Sequence, residues 1–274
     1  MVHQIALASV VTSSFMEEFL LLKFSCELLH HQQFQWYVRC DEASAALLSK
    51  EANITATPFC SSSLTRNSPG EKEFNRIALQ KAESIADAWN AGLCTSVAFL
   101  DADLIVTSAF LSDFEMFDTD LILTPNHHAP GNEVFEPFHG FFNSGFVLTK
   151  NCKFHEKWKA HLSSRSWQFS DQVCFNDLCA EFSVTQLTSL ANIGFWHSRN
   201  ARIFNFEPIP PNCCLLHAHC FHPITDGRGW VDRMFAFHCL RFLHTSTKPE
   251  HHLLVKEILQ KDKSGWFSAS LSLS

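Results

Sequence analysis

No run of about 18 or more apolar residues occurs anywhere in the 274-residue chain, so nothing in it reads as a membrane-crossing helix. The N-terminus also lacks the basic segment, apolar core and small-residue cleavage site of a secretory signal. Long basic runs are missing as well. The 21 Lys and Arg stand against 28 Asp and Glu, a formal charge of -7, which offers no surface to track a phosphate backbone and excludes nucleic acid as an expected partner. The 11 cysteines include no CxxC pair and follow no regular framework, in a chain long enough to bury a core without staples. They read as reduced thiols, mostly core filler, in a soluble cytoplasmic protein. Tyrosine is nearly absent, one against 27 Phe, a bias that carries no functional reading. There is no internal repeat and no clear linker, so a single domain is expected.

What is present alternates. Residues 4–11 form a nearly continuous apolar run, as expected of a strand buried on both faces, and Thr12-Ser13-Ser14 breaks it. Ser14 and Glu17 have capping-box spacing, and Met16, Phe19, Leu20, Phe24 and Leu28 recur at helical spacing. A strand over 35–40, a helix over 42–51, a strand over 54–59, a loop over 60–72 and a helix from 73 to Gly92 follow. This order predicts an α/β fold on a mixed, largely parallel sheet flanked by helices. The apolar strand 96–100 then runs into Asp101-Ala-Asp103. Beyond it the pattern predicts strands at 104–106, 121–124 and 141–149, a polar loop over 126–139, helices near 153–163 and 170–182, a strand over 213–221 and a largely helical C-terminus.

With 12 Asp in the chain, chance alone supplies about half a D-x-D triplet, so the triplet proves nothing by itself. Two occur. Asp118-Thr-Asp120 precedes its strand, whereas Asp101-Ala-Asp103 ends one, and ligands of open α/β sheets sit outside the carboxyl ends of strands. On an extended segment, carboxylates two residues apart project to one side and can share a hard cation such as Mn2+ or Mg2+, with substrate phosphates completing its shell. The bland alternative is that the two Asp satisfy a turn or cap a helix. Asp171 has a similar alternative as a helix N-cap, and Asn143 as a strand residue at a bulge beside Gly145.

Five segments stand in an order that resembles the GT-A fold glycosyltransferases, in particular the nucleotide-diphospho-sugar transferases akin to the glycogenin-like family. They are Ala8-Ser-Val-Val-Thr-Ser-Ser14, Val97-Ala-Phe-Leu-Asp-Ala-Asp103, Phe142-Asn-Ser-Gly-Phe146, Ser170-Asp-Gln172 and Leu215-Leu-His217. The resemblance spans most of residues 4–222 and implies a GT-A-like, Rossmann-like domain that transfers a sugar from a nucleotide diphosphate sugar, by default a uridine diphosphate sugar, with retention. It implies that Thr12 and Ser13 meet the nucleoside, that Asp101 and Asp103 meet ribose and metal, and that His217 completes the shell of a Mn2+ or Mg2+ cofactor. It further implies that Asn143 and Gly145 line the donor sugar and that Asp171 and Gln172 flank the reaction centre. Lys81, on the helix before the metal strand, could approach the phosphates or simply be a solvated helix lysine. Residues 1–103 would serve the nucleotide, and residues 104–274 would shape the sugar site and the site of an unidentified glycan, protein or small-molecule acceptor, with loop 126–139 as the place of acceptor choice. Two departures stand out: Ser144 replaces a frequent alanine, a minor change, and the Gly, Lys, Pro and Trp usual after the late histidine are missing, with Arg228 in Asp226-Gly-Arg-Gly229 as a candidate substitute for the phosphate clamp.

The spacing His217-Ala-His219-Cys-Phe-His222 also fits the three imidazoles of metallo-β-lactamase-like zinc hydrolases. Against that reading, Phe221 stands where an acid is expected, and the cluster comes late in the chain. A non-catalytic relative that binds a sugar nucleotide or glycan is the third alternative.

Overall fold

The computed structural model describes residues 5–61, 71–126, 139–164, 170–188, 191–198, 205–221 and 227–272. His222, Asp226, the Arg228 side chain and residues 127–138 of the expected acceptor loop lie outside the described residues. The N-terminal half runs β1 (Ile5–Val11), α1 (Met16–His30), β2 (Trp36–Asp41), α2 (Glu42–Leu48), β3 (Ile54–Cys60), α3 (Glu71–Asn90), β4 (Ser96–Leu100) and β5 (Leu104–Val106). Next come β6 (Leu121–Pro125), β7 (Phe142–Thr149), α4 (Phe154–Ser163), α5 (Ser170–Leu178), β8 (Val184–Gln186), β9 (Asn192–Ile193), β10 (Leu215–His217), α6 (Gly227–Thr245), α7 (Pro249–Lys261) and α8 (Trp266–Ser272).

The main sheet has seven strands in the order β3-β2-β1-β4-β7-β6-β8. All pairings are parallel except those of β7, which runs antiparallel to both β4 and β6. The strand order reverses between β1 and β4, which makes the gap beyond their carboxyl ends the topological switch point where ligands of such sheets bind. β1 and β4 are buried along almost their whole length, which accounts for their unbroken apolar runs. On one sheet face α3, α4 and α5 cover Val97, Phe99 and Val147 with Ile85, Phe154, Trp158 and Phe175. The other face packs against α1, α6 and α7 through Phe19, Trp36, Phe110, Phe146 and Leu240.

Three strands, β5-β10-β9, form a second sheet. β5 is antiparallel to β10 with Leu104 opposite His217, and the Ala218 N–H continues the ladder to the Asp103 carbonyl at 3.1 Å. This small sheet brings the late histidines back to the end of β4. The register of β6 against β7 also shifts: Leu123 pairs with Val147 but Thr124 with Asn143, so residues 144–146 bulge out of that pairing. On its other side β7 keeps register with β4, and the Asp101 N–H donates to the Gly145 carbonyl at 2.8 Å.

Some boundaries differ from expectation. Ser14 does not form the capping box, because Ser13–Phe15 make a 3-10 turn and α1 starts at Met16 without a side-chain cap. The helix expected to reach 182 stops at Leu178, and the late strand is only Leu215–His217.

His30 closes α1 as a neutral imidazole. Its Nδ1 donates to the Cys26 carbonyl at 2.9 Å, and Nε2 accepts from the main-chain N–H groups of Phe110 and Leu111 at 3.2 Å each. Burial holds its pKa below the ordinary 6.5, outweighing the opposing pull of the Cys26 carbonyl. A depressed folded value means that the stabilisation is fully present above the unfolded value and is lost as pH falls through the folded one. His30→Gln should therefore be less stable than the parent at about pH 8, with the gap closing towards about pH 5. Urea denaturation of both proteins across that range checks it, and a gap that does not move with pH counts against the neutral imidazole.

Candidate active site

The carboxyl ends of β1, β4 and β7 meet the first turn of α5 and the end of β10. Lys81 enters from α3, on the face that also carries the buried Ala78 and Ile85, one helical turn away on either side. It is buried, not solvated. Its Nζ lies 2.9 Å from Asp101 Oδ1, 2.9 Å from Asp171 Oδ2 and 3.1 Å from Ser144 Oγ. An ammonium has three hydrogens, and these three neighbours use all of them, so this lysine has none left for a phosphate in this arrangement. Burial opposes its charge, but Asp101 and Asp171 outweigh burial and raise its pKa above the ordinary range.

Asp101 and Asp103 do not share one side of an extended strand as the sequence pattern suggests. Residues 102 and 103 form a turn, with the Leu104 N–H donating to the Asp101 carbonyl at 3.2 Å, and the two carboxylates face different partners. Asp101 faces Lys81. Asp103 faces both late histidines, with one carboxylate oxygen 2.9 Å from His217 Nε2 and the other 2.7 Å from His219 Nδ1. The two histidines are alternate residues leaving β10 and therefore reach the same side. Burial pushes the Asp103 carboxyl up, but the two imidazoles dominate and hold it well below the usual carboxylate range. Burial likewise disfavours the charged form of His217, and Asp103 overcomes this to raise its pKa. Burial raises the Asp101 pKa; Lys81 pulls it down and Asp103 pushes it up.

Ligand atoms of Asp103, His217 and His219 all lie within 4.8 Å of one another, with Asp103 and His217 buried and His219 nearly so. One carboxylate and two imidazoles suit a divalent transition metal better than a purely oxygen-ligated ion. A cation fits this donor set because the carboxylate already draws both imidazoles to one point. Gly145 keeps the space open: a Cβ there would stand 2.8 Å from Asn143 Oδ1, 2.9 Å from His217 Cε1 and 3.1 Å from Asp101 Oδ2.

Asn143 sits beside the bulge and anchors it. Its Oδ1 accepts from the Gly145 N–H at 2.8 Å and from Asn192 Nδ2 at 3.1 Å, which ties β7 to β9. Asp171 lies inside the first turn of α5 and turns its carboxylate to Lys81 and Ser144, so it is not an N-cap. Gln172 Oε1 accepts from Asn126 Nδ2 at 3.0 Å at the end of β6. Gly140, at φ +82°, lets the chain before β7 pass against the backbone of Gln172, where a Cβ would come within 2.7 Å. Thr12 and Ser13 lie past the end of β1, beside β4, to which Ser9 Oγ ties β1 by donating to the Leu100 carbonyl at 2.7 Å. The Ser13 N–H donates to Asp41 Oδ2 at 2.7 Å, and Asp41 also caps α2 through the Ser44 N–H at 2.8 Å. The second triplet is structural: Asp120 accepts from Ser183 N–H and Oγ and from Asn151 Nδ2.

The sequence pattern gave no sign of Asn126, Asn192 or Asp41, and Ser144 read as a minor replacement. The hydroxyl of Ser144 in fact joins Lys81 to Asp171.

The family model described as nucleotide-diphospho-sugar transferase matches residues 40–234. The chain belongs to this family. No curated protein sequence matches the transferase. Among solved structures, the galactosyltransferase LgtC, crystallised with donor and acceptor sugar analogs, superposes with a TM-score of 0.53 at 17% identity, over 91% of this chain and 99% of that one. The glycosyltransferase GlyE of Streptococcus pneumoniae TIGR4 gives a TM-score of 0.52 at 16% identity, over 97% of this chain and 64% of that one. These likenesses establish a GT-A-like fold, and the family makes the chain a glycosyltransferase. Among the described residues of the transferase no helix is long and apolar enough to cross a membrane.

Proposed function

We propose that the chain moves a sugar from a uridine diphosphate sugar to a glycan, protein or small-molecule acceptor, with retention at the anomeric carbon and with Mn2+ as the preferred cofactor over Mg2+. The observation that carries this reading is the convergence of Asp103, His217 and His219 at the carboxyl end of β4, next to the Asp101–Lys81–Asp171 ion-pair chain. Asp103, His217 and His219 would hold the cation, which when bound neutralises charge on the departing diphosphate. Thr12, Ser13 and Asp101 meet the nucleoside, Asn143 and Gly145 line the sugar, and Asp171 with Gln172 stands beside the reacting carbon. Lys81 serves the donor site by fixing Asp101 and Asp171, not by clamping phosphate. Residues 1–103 make the nucleotide half, and residues 104–274 the sugar and acceptor half. Eleven free thiols support a cytoplasmic location.

The test is nucleotide release by the purified chain with Mn2+ against a panel of nucleotide sugars, with and without excess chelator. Release from a uridine diphosphate sugar that stops in chelator is the expected result; no release from any donor, or release indifferent to chelator, overturns the reading. An inverted product by NMR would reassign Asp171 as a general base. The zinc-hydrolase alternative is not favoured, because the family is one of transferases and His217 and His219 share a carboxylate. A non-catalytic relative would bind the nucleotide in the same assay and release nothing.

A further inference from the structure

Ser144 has no task in the reading above, yet its hydroxyl sits where the site's charges meet. It is buried in β7, in the segment that bulges away from β6 towards β4. Its Oγ donates to Asp171 Oδ2 at 2.7 Å and accepts from Lys81 at 3.1 Å. Lys81 itself reaches the same Asp171 oxygen at 2.9 Å. Oδ2 therefore takes two donors, while the contact of Oδ1 is the main-chain N–H of Gln172 at 3.1 Å. The two oxygens of one carboxylate are thus inequivalent: one is anchored, and the other retains accepting capacity. Lys81 cannot enforce this alone, because a flexible four-carbon stem carrying a point charge follows whichever oxygen approaches. A hydroxyl on a strand has a fixed place.

We propose that Ser144 is a positioning residue for sugar transfer, fixing the rotation of the Asp171 carboxylate so that Oδ2 is engaged by Lys81 and β7 while Oδ1 is kept for the substrate. This rests on the transferase reading and on Asp171 standing beside the reacting sugar. A carboxylate released from one charge-assisted hydrogen bond still binds its surroundings but spends less time in the productive rotamer, so the loss falls on turnover and not on donor binding.

The experiment compares the parent with Ser144→Ala and Ser144→Thr on the donor that gives the fastest nucleotide release with Mn2+. The alanine variant should lose about tenfold in kcat with donor KM within about twofold of the parent. Threonine, which keeps the hydroxyl, should restore kcat to within about threefold; if its extra methyl cannot be housed, the alanine variant decides alone. Affinity of Ser144→Ala for Mn2+ with the nucleoside diphosphate, measured by titration calorimetry, should stay within about twofold. Parent-like kcat in the alanine variant, or a parallel loss of kcat and nucleotide affinity, overturns the positioning role and leaves the transferase reading intact. No turnover by the parent on any donor overturns the transferase reading, and this role with it.

Discussion

Asp103→Asn should lower turnover by about two orders of magnitude or more at saturating donor, and should weaken Mn2+ binding whether or not a nucleotide is present. The expectation follows from how one side chain serves two imidazoles. Each carboxylate oxygen faces a different histidine, with His217 Nε2 2.9 Å from one and His219 Nδ1 2.7 Å from the other. The amide of asparagine keeps one acceptor and replaces the other by a donor, so one of the two histidines meets an N–H where an oxygen stood. The variant also removes the sole negative charge among the three groups that converge within 4.8 Å. Shape is nearly unchanged, so a large effect measures charge and acceptor pattern rather than packing. Rates of nucleotide release with excess Mn2+, together with Mn2+ affinity by titration calorimetry, check both halves of the expectation. Parent-like turnover combined with parent-like affinity would remove Asp103 from the cation site.

How much of this was legible beforehand depends on whether the cause was local. β1 and β4 could be read because strands buried on both faces need unbroken apolar runs, and Asp101 stood out as the residue where such a run ends. The position of the second triplet before its strand set it apart from the first, and its Asp120 holds Ser183 and Asn151. What failed was whatever depended on a distant partner. β8 and β9 are three and two residues long and exist through pairing with β6 and β10, so no local period announces them. The divergence of Asp101 and Asp103 comes from a turn that β5 needs in order to leave the main sheet for the second one, where β10 awaits it. Ser144 looked minor because its partners lie 63 residues upstream and 27 downstream. Lys81 is different: Ala78 and Ile85 sit on its own helix face at helical spacing, so its burial is legible in the local pattern.

That burial sets up the largest expected loss of stability. Lys81→Met keeps most of the side-chain volume and removes the ammonium that faces Asp101 and Asp171, leaving a buried and a half-buried carboxylate without their cation. Breaking a buried pair by removing one partner typically costs about 3–5 kcal/mol at neutral pH, chiefly through the uncompensated charge left behind. The pH dependence of the loss distinguishes this cause from a packing defect. Burial already raises the pKa of Asp101 in the parent, with Lys81 pulling against it, so removing Lys81 should raise the folded value further. A carboxyl whose folded pKa lies above its unfolded value stabilises the fold fully below the unfolded value, and that contribution is lost as pH rises through the folded one. The stability gap between parent and Lys81→Met should therefore be widest at about pH 7 and above and narrow steadily towards about pH 5. Urea denaturation at a series of pH values measures it directly. A gap of constant size would mean that the methionine merely packs badly, and no gap at all would mean that the Lys81 ion pairs do not hold the two carboxylates in place.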